Sequence, residues 1–161
     1  MCGIVGQARA GGAPVSRALM EQMCAALEHR GPDARGVHVA PGVGLGIQRL
    51  RVIDLATGDQ PVYNEDRSVV VVLNGEIYNY AELRADLERR GHRFVTQGDT
   101  EVIAHLYEEH GPELVRSLHG MFAFAVWDER RRHPPVREER VERAVIDVAR
   151  DLVVLQKGRK L

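Results

Sequence analysis

The chain begins with Met1-Cys2-Gly3-Ile4-Val5-Gly6, and the rest of the sequence is interpreted around this stretch. An initiator methionine before a small residue is normally trimmed, so we expect the mature chain to begin at Cys2. Cys2 would then carry both a thiol and a free α-amine, whose pKa of roughly 7.7–8.0 leaves part of it able to accept a proton. The apolar residues that follow predict a buried strand over residues 3–8, with the thiol at its tip. Cys2 is therefore predicted to be an N-terminal nucleophile with its own amine as base. The alternative is that Cys2 has no chemical role and is merely the second residue of a chain that starts with a strand.

The composition is that of a soluble globular protein. The 161 residues suffice for one domain with a core, 44% of them are hydrophobic and 28% are charged. The net charge of −1 argues against nucleic-acid and polybasic membrane surfaces. We find no apolar run long enough to span a bilayer and no secretory signal, and the two cysteines suggest neither a disulfide framework nor a zinc site. The sequence thus predicts a cytoplasmic protein.

Strand and helix patterns alternate along the chain. Residues 68–73, Ser-Val-Val-Val-Val-Leu, predict a central strand because they are apolar on both faces. A second buried strand is predicted over residues 120–127. Helices are predicted from the Ser16 cap to about His29, over residues 81–90, and from Glu101 onward. This pattern favours an α/β sandwich in which helices pack outside layers of strands.

Three polar sites accompany the cysteine. Arg49 offers a guanidinium fork for a carboxylate. Asn74-Gly75 offers a side-chain amide and an unobstructed backbone N–H, two donors for an oxyanion. Asp99 could pair with an ammonium group. Each also has an ordinary interpretation: a surface ion pair, a type I′ turn and a helix N-cap. Together with Cys2 they favour a site that holds an α-amino acid by both ends and attacks its side-chain carbonyl.

The sequence resembles the class II glutamine amidotransferase domain over residues 1 to about 129. The glutaminase half of glutamine-hydrolysing asparagine synthetases is the best match, together with related amidotransferases of exopolysaccharide gene clusters. The matching segments occur in family order: Met1-Cys2-Gly3-Ile4-Val5-Gly6, His29-Arg30-Gly31-Pro32-Asp33, Arg49-Leu50-Arg51-Val52-Ile53-Asp54, Gln60-Pro61, Asn74-Gly75-Glu76-Ile77-Tyr78-Asn79, Asp99-Thr100-Glu101 and Gly120-Met121-Phe122-Ala123-Phe124-Ala125.

The resemblance implies an α+β fold of the N-terminal-nucleophile hydrolase type, an αββα sandwich of two antiparallel sheets. It also implies hydrolysis of L-glutamine to glutamate and ammonia through a γ-glutamyl thioester. The implied catalytic residues are Cys2 with the oxyanion hole of Asn74 and Gly75. The implied substrate-binding residues are Arg49 for the α-carboxylate, Glu76 and Asp99 for the α-ammonium, and Leu50, Val52 and Ile53 along the pocket.

The histidines are not assigned to the chemistry. His29 is an alternative base, but it lies in a segment that the resemblance makes structural and ammonia-handling. His105 and His110 are five residues apart on a helix, which is the wrong spacing for a joint metal face, so both are interpreted as solvated. We therefore expect no metal and no cofactor in this domain.

The resemblance stops near residue 132, and the strands that normally follow in the family are missing. The sequence predicts a partial amidotransferase domain over 1–132, incomplete at its C-terminal end, and a divergent amphipathic tail over 133–161. Val141, Val145, Val148, Leu152 and Leu155 share one stripe of a helix predicted over 136–156. This helix would cover the sheet edge and core left exposed, or the tail is incidental to a truncated or frameshifted gene.

The synthetase domain is also absent, and with it the ATP and Mg²⁺ that the resemblance attaches to amide formation. Ammonia would then pass to a separate synthetase domain or chain. A weakly active remnant and a regulatory glutamine-binding module stay open as alternatives, and so does a homodimer. No nucleic-acid or membrane partner is expected.

Overall fold

Two antiparallel sheets face each other in a computed structural model that describes residues 2–131 and 152–157. The strands are β1 (Gly3–Ala8), β2 (Ala34–Ala40), β3 (Val43–Arg49), β4 (Val62–Tyr63), β5 (Val69–Ile77), β6 (Gly120–Asp128) and β7 (Leu152–Lys157). The helices are α1 (Arg17–Ala25), α2 (Tyr80–Arg89) and α3 (Glu101–His110). The first sheet has the order β1-β3-β2 and the second the order β4-β5-β6-β7.

Strand β5 is buried on both faces, as its run of β-branched residues predicts. Val69, Val71 and Leu73 join the core beneath α2 and α3. Val70 and Val72 point the other way and meet the apolar residues of β3 between the two sheets. One continuous apolar strand therefore supplies two cores, which is the physical basis of the stacked layers.

Helix α1 covers the outer face of the first sheet. The Ser16 side chain accepts a hydrogen bond from the Leu19 amide at 3.3 Å, which confirms the predicted N-cap. Cys24 is fully buried against β3, and a Cβ at Gly46 would come within 2.5 Å of its sulfur. The helix ends at Ala25, short of the predicted His29, which lies instead in a 3-10 turn over Glu28–Arg30. With α2 and α3 on the outer face of the second sheet, the predicted αββα sandwich is confirmed.

The C-terminal segment differs from its prediction. Leu152–Lys157 is a strand, so the helix predicted over 136–156 is wrong at that end; residues 136–151 lie outside the described residues. Strand β7 pairs antiparallel with β6, from Trp127 opposite Leu152 to Phe122 opposite Lys157. Residues 122–127 of β6 are therefore paired, whereas the sequence predicted that loss of the family's later strands would leave one sheet edge exposed. The division of the chain at residue 132 stays a prediction.

Across the described ranges, none of the helices is long and apolar enough to cross a membrane.

Candidate active site

A cavity of about 270 Å³ opens where β1, β3 and β5 meet the loop that leads into α3. This volume lies below the roughly 300–1,000 Å³ of sites that hold drug-sized ligands, so it suits a molecule as small as one amino acid. All nine site residues predicted from the sequence line it: Cys2, Arg49, Leu50, Val52, Ile53, Asn74, Gly75, Glu76 and Asp99. Residues up to 97 positions apart in the chain are thus brought together.

Cys2 lies immediately before β1, where its sulfur is held by the backbone at the end of β3. The Leu50 amide donates to Sγ at 3.3 Å, and the thiol lies 3.6 Å from the Leu50 carbonyl oxygen. The Cys2 carbonyl oxygen accepts a hydrogen bond from Arg30 Nε at 3.1 Å. These contacts fix the sulfur at the cavity wall while the residue stays partly exposed. An attacking sulfur needs both a fixed position and access to a ligand.

Arg49 is buried, with 5% of its surface exposed, but it is not a free fork. Nη1 donates to Asp59 Oδ1 at 2.5 Å, and Nη2 donates to the carbonyl oxygens of Ile53 and Asp54 at 2.8 and 2.9 Å. The guanidinium therefore holds the loop that follows β3 against the cavity. This leaves it fewer donors for a substrate carboxylate than the sequence suggested.

Asn74 and Gly75 lie inside β5, opposite Ala123 and Phe122 of β6, so they do not form the type I′ turn considered above. Gly75 has φ of 140°, and a Cβ there would lie 2.1 Å from the Met121 carbonyl oxygen, so only glycine fits. Asn74 Oδ1 is buried and has no hydrogen-bond partner within the described ranges. The unsatisfied atom is an acceptor, so it is suited to a donor group of a ligand, and the oxyanion role predicted for Asn74 would belong to its NH₂ group.

Glu76 and Asp99 form a carboxylate pair in the cavity. Asp99 is buried, and its Oδ2 accepts the Ile77 amide hydrogen at 2.9 Å, so it is not the N-cap of α3 considered above. Burial raises the pKa of Asp99; the Ile77 hydrogen bond opposes this effect, and the negative charge of Glu76 adds to it. Two carboxylates in one partly enclosed cavity favour a cationic ligand group.

The loop that carries Ile53 is tied down by Asp54. Its carboxylate accepts hydrogen bonds from the Thr57 amide and hydroxyl at 2.8 and 2.5 Å and from the Gln97 amide at 2.8 Å. Burial alone would raise the pKa of Asp54, but these hydrogen bonds lower it to about 2. Asp54 therefore joins two of the segments that line the cavity.

Gln60 is a cavity residue to which sequence reasoning gave no role. Its Oε1 accepts the Leu73 amide hydrogen at 2.6 Å, and its Nε2 lies 3.2 Å from the Leu73 carbonyl oxygen and 3.3 Å from Thr100 Oγ1. It thereby pairs with β5 as a neighbouring strand would, just before Asn74. The motif Gln60-Pro61 was the available signal.

Among the histidines, His29 is exposed and is not among the residues that line the cavity. His110 is exposed, as expected. The prediction that His105 is solvated is wrong, because its side chain is fully buried. Residues 101–107 of α3 are all buried. One side of the helix packs on the second sheet, and neighbouring segments cover the other side.

Comparison with known proteins identifies relatives of this chain. The family model described as a glutamine amidotransferase domain matches residues 1–142. Asparagine synthetase [glutamine-hydrolyzing] 2 from Oryza sativa subsp. japonica is 52% identical over 133 residues, 81% of this chain and 22% of the relative. Asparagine synthetase [glutamine-hydrolyzing] 2 from Bacillus subtilis (strain 168) is 45% identical over 133 residues, 80% of this chain and 17% of the relative. The chain thus spans about a fifth of the length of these curated relatives.

A solved structure shares the fold. Glutamine phosphoribosylpyrophosphate (PRPP) amidotransferase from B. subtilis, complexed with ADP and GMP, superposes with a TM-score of 0.62 at 20% identity, over 80% of this chain and 35% of that one. At this identity the similarity shows a shared fold. Since the family model covers most of the sequence, the chain belongs to the glutamine amidotransferase domain family.

Proposed function

We propose that this chain hydrolyses L-glutamine to L-glutamate and ammonia, with Cys2 as the nucleophile. The observation that carries the proposal is that Cys2 lines the same cavity as an arginine, an asparagine and a pair of carboxylates. These groups match the parts of glutamine: an electrophilic carboxamide, an α-carboxylate and an α-ammonium.

The reaction would proceed in two halves. After removal of Met1, the Cys2 amine accepts the thiol proton, and the sulfur attacks the carboxamide carbon of glutamine. Asn74 and Gly75 donate to the resulting oxyanion; loss of one such donor typically costs about 10²–10³ in turnover. The tetrahedral intermediate collapses, the amine returns the proton to the leaving ammonia, and a γ-glutamyl thioester remains. Water then attacks the thioester and releases glutamate and the thiol.

The remaining cavity residues would bind the substrate. Glu76 and Asp99 pair with the α-ammonium, which relieves the repulsion between the two carboxylates. Arg49 contacts the α-carboxylate with the donors that Asp59 and the loop carbonyls leave available. Leu50, Val52 and Ile53 cover the aliphatic part of the side chain. None of these steps uses a cofactor.

The ammonia would be used by an ATP-dependent synthetase in amide formation of the asparagine synthetase kind. The relatives carry this description, and the present chain matches only a small part of their length. ATP and Mg²⁺ would serve that separate domain or chain. The two free cysteines fit a reducing compartment, and we place the protein in the cytoplasm on this basis.

Glutamate release from glutamine by the full chain tests the proposal. We expect turnover in the wild type, none in Cys2→Ala, and wild-type kcat/KM in Cys24→Ala, the matched control at the other thiol. Glutamine hydrolysis by Cys2→Ala at an undiminished rate would overturn the proposal.

A further inference from the structure

A second group of polar side chains lies outside the cavity, and the glutaminase chemistry does not use it. Glu65 follows β4, His92 follows α2, and His105 and Glu108 lie on one face of α3. We call these four residues the His92–His105 cluster. Each offers one ligand atom, and these atoms all lie within 4.8 Å of one another.

Several distances within the cluster are close to the edge of a tetrahedron around a metal ion, and the full set of ligand atoms spreads over up to 4.8 Å. Glu65 Oε1 and Oε2 lie 3.3 Å from His92 Nδ1 and His105 Nδ1, respectively. Glu108 Oε2 lies 3.8 Å from His92 Nδ1 and 3.5 Å from His105 Nδ1. Metal–ligand bonds of about 2.0–2.2 Å separate tetrahedral ligand atoms by roughly 3.3–3.6 Å. Direct charge-assisted hydrogen bonds would instead be about 2.7–2.9 Å long.

His105 gives an independent indication. Its side chain is 0% exposed, and neither ring nitrogen makes a hydrogen bond of ordinary length and geometry in the described part of the chain, although carboxylates lie 3.3–3.7 Å away. Glu108 Oε2 is likewise buried without such a bond. Buried polar atoms are rarely left unsatisfied, so atoms of this kind that converge on one point indicate a missing ligand. His105 Nδ1 is directed at that point, as its separations from Glu65 and Glu108 show.

Further carboxylates stand behind the histidines. His105 Nε2 lies 3.7 Å from Glu101 Oε1, and His92 Nε2 lies 3.3 Å from Glu109 Oε1. In metal sites, the nitrogen of a ligating histidine that faces away from the metal commonly donates to a carboxylate, which fixes the tautomer and the ring orientation. Both histidines therefore present Nδ1 inward, and His92 also has an acceptor within hydrogen-bond distance of Nε2.

We propose that the His92–His105 cluster binds one divalent transition-metal ion of the zinc type. Two imidazoles and two carboxylates are ligands that Zn²⁺ accepts, and its charge would offset that of the surrounding glutamates. The ion would join the turn after β4, the segment after α2 and helix α3. Its role would be structural, because no residue of the cluster lines the glutamine cavity. The sequence predicted no metal from the spacing of His105 and His110, whereas the second histidine of this cluster is His92.

Calorimetric titration of the chelator-treated full chain with Zn²⁺ tests this site, in a Cys2→Ala background so that the thiol does not bind the metal. We expect one equivalent to bind and the melting temperature to rise with it. His92→Ala should weaken binding at least about 100-fold, and Glu109→Gln about 10–100-fold. His119→Ala, which removes an exposed histidine outside the cluster, is the matched control and should bind as the parent does.

The proposal is overturned if the Cys2→Ala chain binds no equivalent of Zn²⁺, or if His92→Ala changes the affinity by less than about tenfold. Because His92 lies at the cluster's partly exposed side, its replacement should leave the fold intact, and circular dichroism checks this. Replacement of Glu65, at the exposed edge, by Gln gives a second variant with the same expected loss.

Discussion

Asp99→Asn separates ligand binding from folding at the carboxylate pair. The substitution keeps the shape of the side chain and an oxygen that can accept a hydrogen bond from the Ile77 amide, whose nitrogen lies 2.9 Å from Oδ2 in the wild type. It removes a charge that is buried beside Glu76. Any loss of glutamine binding can therefore be assigned to the missing charge.

The expected magnitude follows from the loss of one partner of a buried charge pair. Such truncations cost about 2–5 kcal/mol. Glu76 remains to contact the ammonium, so we expect the low end, about 2 kcal/mol, which is a roughly 30-fold rise in KM. Because the interaction is made equally in the ground and transition states, kcat should change little.

The free protein should respond in the opposite direction. Burial raises the pKa of Asp99 above its usual 3.8, so the folded state binds its proton more tightly than the unfolded state does. The ionised carboxylate thus lowers the stability of the unliganded chain increasingly as pH rises through that pKa. Asp99→Asn should melt at or above the wild-type temperature at neutral pH, and the difference should vanish in acid.

Steady-state glutaminase kinetics and thermal melts from acid to neutral pH measure both effects. Asp86→Asn, which removes a half-buried carboxylate on α2 that is paired with Arg89 and Arg90, is the control and should leave KM unchanged. An unchanged KM in Asp99→Asn would refute the assignment of this residue to the substrate ammonium. A marked fall in melting temperature would show that its charge serves the fold instead.

Three further predictions concern the framework of the site. Gly75→Ala should abolish turnover and destabilise the fold by more than the roughly 1 kcal/mol of backbone strain expected for the control Gly12→Ala. The reason is that a Cβ at Gly75 would meet the Met121 carbonyl oxygen, whereas a Cβ at Gly12 would meet no atom. Equal melting temperatures of the two variants would contradict this. Asp54→Asn should lower stability at neutral pH, and its deficit should shrink as pH falls toward about 2, the pKa of Asp54 in the fold; a deficit independent of pH would argue against it. Removal of residues 132–161 takes away β7 and should cause concentration-dependent aggregation, measured by light scattering, because the edge of β6 loses its partner; a monodisperse truncated chain would contradict that expectation.

Local sequence patterns predicted the layers well. The β-branched residues of the run 68–73 favoured a strand buried on both faces, and Ser16 marked the start of α1. The motif residues predicted the lining of the cavity, since a resemblance that extends from residue 1 to about 129 carries the relative positions of distant segments. Burial of the aliphatic runs and short-range capping are encoded locally, which is why they could be predicted.

Long-range polar contacts could not be predicted. The ion pair between Arg49 and Asp59 and the hydrogen bond from the Leu50 amide to the Cys2 sulfur depend on the path of the loops that follow the strands. His105 was misjudged because its spacing from His110 was considered, whereas its neighbours come from other elements. The helix prediction was wrong at Leu152–Lys157 for another reason. A short apolar run fits one face of a helix and a buried strand equally well, and pairing with β6 decides between the two structures.

Cys2 must be the first residue of the mature chain, and its thiol must be the reactive one. Peptide mapping by mass spectrometry tests both requirements directly. The full chain would be incubated with 6-diazo-5-oxo-norleucine, a glutamine analogue that alkylates a thiol with loss of dinitrogen. We predict a polypeptide that lacks Met1 and carries one adduct, on the Cys2 sulfur, with Cys24 unmodified. Retention of Met1 with an unlabelled Cys2, or labelling of Cys24 in its place, would contradict the central claim.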